Sequence, residues 1–272
     1  MHFLTHRRKF IKTMALASAS VPIGLRHSLG APAEQPAAWQ IQNPLFGVHF
    51  SPATGKLSAW RKDAPFLANA VARAVTATGV RSTTDPEYKR EIEVKALSDT
   101  LGSGKLLTAR CADGRKQLDF EVRATLYDRL DALVVEVICR NVSGEPIVVQ
   151  SLEPVRAIRD EEAACSWPDV TRVLTNGQMY YDAGRVIEPK AGQSIKTWWD
   201  MAFYTGDQKD GLVVGYLENN ASQGRITAGF ANIAKITRTF FKNYFRQRQT
   251  DCPRTRTRRR LHRRTGRGRC TT

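Results

Sequence analysis

Leu118-Asp-Phe-Glu-Val-Arg-Ala-Thr-Leu126 and, after a short polar break, Ala132-Leu-Val-Val-Glu-Val-Ile-Cys-Arg-Asn141 decide the fold class. The first stretch alternates apolar and polar residues, the period of a strand with one buried face. The second is almost continuously aliphatic and β-branched, as a strand in the middle of a packed sheet is. The same signals spread outward. Upstream, Lys105-Leu-Leu-Thr-Ala-Arg-Cys111 runs into an Ala-Asp-Gly-Arg turn, and Glu91-Ile-Glu-Val-Lys-Ala-Leu97 alternates strictly. Further back, Leu45-Phe-Gly-Val-His-Phe50 and Leu57-Ser-Ala-Trp60 flank a Ser-Pro-Ala-Thr-Gly-Lys turn. Downstream, Asn141-Val-Ser-Gly-Glu-Pro turns the chain into Ile147-Val-Val-Gln-Ser-Leu-Glu-Pro-Val155. Thr197-Trp-Trp-Asp-Met-Ala-Phe-Tyr204, Gly211-Leu-Val-Val-Gly-Tyr-Leu217 and Arg225-Ile-Thr-Ala-Gly-Phe230 complete the series. No long helical period separates these segments, which argues against a parallel α/β sheet. An all-β fold follows: a large antiparallel β-sandwich in which each strand buries one face against the opposing sheet.

The 272 residues carry a net charge of +16, but the charge sits at the ends. Residues 1–33 hold +5 and residues 231–272 hold +13, which leaves the 197 residues of 34–230 at −2. The N-terminal part has the order of a twin-arginine signal peptide: Arg7 and Arg8, then Lys9-Phe10-Ile11-Lys12, a mildly apolar run from Thr13 to Leu25, and small residues at Ala31-Pro32-Ala33. That run is too short and too weakly apolar for a stable bilayer span, so no transmembrane anchor is expected in the mature chain. The twin-arginine export machinery is the partner this leader implies, and the expected location is periplasmic or secreted. Residues 231–272 are expected to be a basic tail, disordered or out of frame after about Phe230, and within them the arginine-rich run 254–269 has no apolar periodicity and little to bury. Its abrupt Arg, Thr, Gly and Pro content also fits out-of-frame translation of a GC-rich gene. Phosphate contacts alone give such a tail affinity for nucleic acid or an anionic surface. An exported protein rarely meets nucleic acid, so no specific nucleic-acid partner is expected.

Three cysteines, Cys111, Cys139 and Cys165, lie in the body, with no CxxC or Cys/His spacing. Cys139 stands inside an apolar strand and reads as a small buried hydrophobe. No metal site and no cofactor are expected, and no phosphate loop, nucleotide fingerprint or serine-nucleophile motif is present.

The run 133–155, together with Val173-Leu-Thr-Asn-Gly-Gln and Asp210-Gly-Leu-Val-Val-Gly-Tyr-Leu217, resembles the N-terminal sandwich of α-galactosidase-like glycoside hydrolases, the melibiase and raffinose-synthase group. The resemblance covers about residues 40–230 and implies a large, supersandwich-like domain. In that family a (β/α)₈ barrel follows the sandwich and carries the catalytic carboxylates. No position here corresponds to them, so no catalytic residue is assigned and the chain is expected to be inactive by itself.

Within the body, Trp198-Trp199-Asp200 and Trp167-Pro-Asp169 are the candidates for carbohydrate binding, of galactoside type by the resemblance. Indole faces stack on sugar rings, and a nearby carboxylate accepts hydroxyl hydrogen bonds. Strand alternation predicts Trp198 and Trp199 on opposite faces, one of them in the core. Tyr180 and Tyr181 are weaker candidates, and Asp160-Glu161-Glu162 and His49 are expected to be a solvated loop and an ordinary strand residue. Three functions follow: a non-catalytic portion of an exported glycoside hydrolase, a stand-alone carbohydrate-binding module, or an anionic-surface binder acting through the tail.

Overall fold

The computed structural model describes residues 9–20, 39–158, 164–165, 167, 170–177, 183–207, 210–217, 223–232 and 235–244. Nineteen strands occur among them. The first seven are β1 (Lys9–Ser20), β2 (Gln40–Gln42), β3 (Phe46–Phe50), β4 (Leu57–Arg61), β5 (Ala64–Thr76), β6 (Gly79–Ser82) and β7 (Tyr88–Asp99). Next come β8 (Gly102–Asp113), β9 (Leu118–Tyr127), β10 (Ala132–Asn141), β11 (Val149–Ile158), β12 (Ala164–Cys165) and β13 (Val170–Thr175). The last six are β14 (Arg185–Ile187), β15 (Ser194–Trp198), β16 (Asp200–Thr205), β17 (Asp210–Tyr216), β18 (Gln223–Asn232) and β19 (Lys235–Tyr244).

They form two antiparallel sheets. The nine-stranded sheet runs β14-β13-β16-β17-β1-β10-β9-β8-β7; the other runs β15-β18-β19-β11-β5-β4-β3-β2, with β6 and β12 also on β5. A single apolar core lies between them. Phe46, Val48, Phe50 and Leu152 from one sheet join Leu107, Phe120, Val137 and Phe203 from the other, all at most 1% exposed. This is the sandwich that the alternating strands predict. β9 and β10 occupy the span expected of them to within one residue.

Directional bonds fix how the sheets lie on each other. Asn43 Nδ2 donates to the Tyr127 carbonyl at 2.8 Å, and Arg61 Nη1 to Asp210 Oδ2 at 3.2 Å, each joining the two layers. Buried charge is compensated. Glu121, 3% exposed, accepts from Arg123 Nε at 2.7 Å and lies 2.6 Å from Arg140 Nη1. Glu153, 2% exposed, takes both Nε and Nη2 of Arg73, at 2.9 and 3.0 Å. The free edge β7 is mostly exposed and carries Lys89, Glu91, Glu93 and Lys95, charges that discourage another strand from adding there.

Two segments lie outside the 34–230 body anticipated from sequence. Lys9–Ser20, expected to belong to the export leader, is paired as a strand between β10 and β17. Arg7 and Arg8 are outside the described residues. The strand pattern, expected to stop at Phe230, continues through β18 to Asn232 and through β19, which pairs with β18 and β11. In both cases the backbone is what decides. The two stretches contain no proline or glycine, so every amide can enter a ladder that neighbouring strands leave open. Residues 245–272, which include the arginine-rich run, are outside the described residues.

Candidate functional site: the corner where the chain changes sheets

β15 ends at Trp198 in one sheet, and β16 begins at Asp200 in the other. Trp199 alone makes the crossing. Its N–H donates to the Gly224 carbonyl of β18 at 3.2 Å, and its carbonyl accepts from the Tyr216 N–H of β17 at 2.8 Å. One residue is thus hydrogen-bonded to both layers. The crossing forces its φ to +67°, in the left-handed region. An L-residue there gives up about 1–2 kcal/mol, and a bulky one is a conformational outlier. Such strain persists only where the surroundings over-determine it, and it concentrates at functional sites. The corner is also tight: a Cβ on Gly224 would lie 2.3 Å from the Tyr216 ring, so only glycine lets β18 approach closely enough.

The crossing overturns the expectation that the two tryptophans face apart. Alternation holds within one strand, and here the strand ends between them. The ring centroids are 6.1 Å apart with planes tilted by 58°, inside the range of a mutually stabilised aromatic pair. Trp198 is half-buried, while Trp199 keeps 38% of its surface exposed. Asp200 is exposed next to them and accepts from Asn176 Nδ2 at 3.4 Å. Local packing still removes part of its hydration, and this desolvation raises the carboxyl above its ordinary range.

Gly177 connects the corner to a groove. Its carbonyl accepts from the Trp198 N–H at 2.9 Å and from the Thr197 hydroxyl at 3.0 Å, and Thr197 Oγ1 accepts from the Asn176 N–H at 2.9 Å. The groove, ≈ 300 Å³, is walled by Thr175, Gly177, Arg185, Gln193 and Lys196 among others. That is the small end of the range for a small-molecule site. Aromatic faces, a carboxylate, an amide and two cationic side chains are therefore offered from β13 to β16. Asn176-Gly177 marks itself in sequence as a turn, but nothing there says that this turn meets Trp198.

The other candidates separate from this corner. Trp167 is 3% exposed and belongs to the core. Phe66 packs against its ring in a T-shaped arrangement at 6.1 Å, and the Arg61 guanidinium lies 5.8 Å from the ring centroid, so the indole is packed inside the protein. Its Nε1, like Nε and Nη2 of Arg61, is buried with no hydrogen-bond partner among the described residues. Asp169, Tyr180, Tyr181 and Asp160-Glu161-Glu162 fall outside the described residues. His49 is half-buried on β3, and burial lowers its pKa. Among the described residues no group of His, Cys, Asp or Glu is placed to hold a metal ion, and no helix is long and apolar enough to cross a membrane. In comparisons with known proteins, the chain matches no family model and no curated protein.

Proposed function

We propose that this chain is a non-catalytic, carbohydrate-binding β-sandwich of an exported α-galactosidase-like glycoside hydrolase, and that the Trp198–Trp199–Asp200 corner contacts a galactoside. The carrying observation is the pair of adjoining indoles at the crossing, with Trp199 partly exposed and held by both sheets at a strained φ. A rigid, half-exposed aromatic surface stacks on the apolar face of a sugar ring with little loss of side-chain entropy. Asp200 accepts hydroxyl hydrogen bonds, and the Asn176 amide beside it donates or accepts them. Glycoside hydrolysis needs two positioned carboxyl groups flanking the bond to be cut. In the family this chain resembles, those groups sit on the barrel, so the role assigned here is to hold the sugar.

Titration calorimetry of the full chain against a galactoside panel tests this. Binding is expected, together with quenching of tryptophan fluorescence and at least ~10-fold weakening in Trp199→Ala, the loss of one stacking contact of roughly 1.5 kcal/mol. No heat with any galactoside removes the proposal. Binding that survives Trp199→Ala unchanged removes this corner as the site.

A further inference from the structure

The middle of the nine-stranded sheet is closed by β1. It pairs with β10 from Lys9 to Ala17 and with β17 from Met14 to Ser20, so Met14–Ala17 is flanked on both edges. β10 and β17 are neighbours in that sheet only through β1, which therefore joins two four-stranded halves. Without it the two strands stand two spacings apart, about 9–10 Å. That distance is too wide for any direct N–H···O=C bond. Both edges then carry open backbone donors and acceptors beside buried Leu133, Val135, Leu212 and Val214. An edge of this kind takes up an extended segment by strand addition, in which main-chain bonds supply most of the affinity.

The same twelve residues directly follow Arg7-Arg8 in the segment read above as an export leader. Each of them is paired along at least one edge, and Met14–Ala17 along both, so this backbone is not open to an export receptor. We propose that the slot between β10 and β17 is a strand-acceptor site and that this chain's own Lys9–Ser20 is its exchangeable occupant. Seated, the segment completes the sheet and withholds the leader. Unseated, it frees the leader and opens the slot to a strand of the same sequence. The slot is independent of the carbohydrate reading; the withheld leader rests on the export reading.

Hydrogen exchange on the intact chain, read by mass spectrometry, tests the slot. Amides within Phe10–Ala19 should exchange at least ~100-fold more slowly than in a free peptide of that sequence. Exchange at the free-peptide rate overturns the proposal. Ala15→Pro, which lies opposite both Val134 and Gly215, removes a donor from the doubly flanked stretch and should unseat the strand. A labelled Lys9–Ser20 peptide should then bind the variant and leave the wild-type chain, whose slot is filled, unlabelled; a scrambled peptide should bind neither. If the variant unfolds instead, the same peptide must restore the strand signal in circular dichroism. A variant that neither binds the peptide nor is restored by it overturns the proposal. Export of a reporter fused to the chain should rise in Ala15→Pro and vanish when Arg7 and Arg8 become lysine, a change that should leave exchange at Phe10–Ala19 unaltered. Protected amides with no arginine-dependent export would retain the slot and discard the leader.

Discussion

Replacing Trp199 by glycine and, separately, by alanine isolates the strain at the sheet crossing. Both variants lose the same indole, so their difference depends on the backbone alone. At an ordinary strand position alanine is the more stable by about 0.5–1 kcal/mol, because glycine loses more chain entropy on folding. At φ +67° the order inverts. Alanine keeps the penalty of an L-residue in the left-handed region, ~1–2 kcal/mol, which glycine does not bear. The net expectation is a Trp199→Gly chain more stable than Trp199→Ala by roughly 0.5–1 kcal/mol. Urea unfolding of the two full-length variants, followed by far-ultraviolet circular dichroism, reads this as a shift in midpoint. With a slope of about 2 kcal/mol per molar urea, the shift is roughly 0.25–0.5 M. Equal midpoints, or a higher one for alanine, would refute the claim that hydrogen bonds from both sheets hold Trp199 in a strained conformation. Galactoside binding should fall in both variants alike, because each removes the stacking surface.

Glu121→Gln should destabilise the chain by about 1–3 kcal/mol at pH 7, less than for a fully buried pair because the two arginines are about a third exposed. Burial by itself raises this carboxyl, but Arg140 and Arg123 overcome it and hold the pKa below its ordinary value of 4.5. The stabilisation is therefore complete above pH 4.5 and is lost as pH falls through the lowered folded value. Thermal melts should accordingly show the gap between wild type and variant closing in acid, and a gap independent of pH would be inconsistent with this account. Burial pushes the Cys111 and Cys139 thiols up to about 12, and Cys165 is buried too, so alkylation followed by peptide mapping should leave all three unmodified in the native chain. Trp167→Phe should cost no more than about 1 kcal/mol, since it removes an indole N–H with no partner among the described residues along with some volume, and it should leave sugar affinity unchanged. Reduced galactoside binding in that variant would move the site toward Trp167.

Strands with a strict two-residue period were legible from sequence because their burial is one-sided. Leu118–Tyr127 and Ala132–Asn141 both bury alternate residues, from Leu118 to Leu126 and from Leu133 to Cys139, so the aliphatic run of the second conceals a strand buried mainly on one face. β5 was not legible. Its inward positions include Ala70, Ala72 and Ala74, and alanine carries little strand signal even though each is at most 4% exposed. β1 and β19 were missed for a different reason: their place depends on which neighbouring edges stand open, and that is a property of the whole sheet. At the corner, Trp198, Trp199 and Asp200 were found by residue type, but their mutual geometry was not. Two residues in a row look like one strand until something shows that hydrogen bonding passes from one sheet to the other between them. Asn176 reaches the corner, and Arg185 and Lys196 the groove that Gly177 joins to it, only through the fold, and no spacing in the sequence announces it.

Because Trp199 donates to one layer and accepts from the other, it behaves mechanically as a rivet. Sliding either sheet along its neighbour must lengthen one of the two bonds or rotate a peptide that is already in an unfavourable conformation. The layers should therefore resist shear at this end of the sandwich more than at an end joined by an ordinary loop. A sugar clamped over the indoles would add to that resistance, so its binding would stiffen both layers together and extend to amides far from the contact.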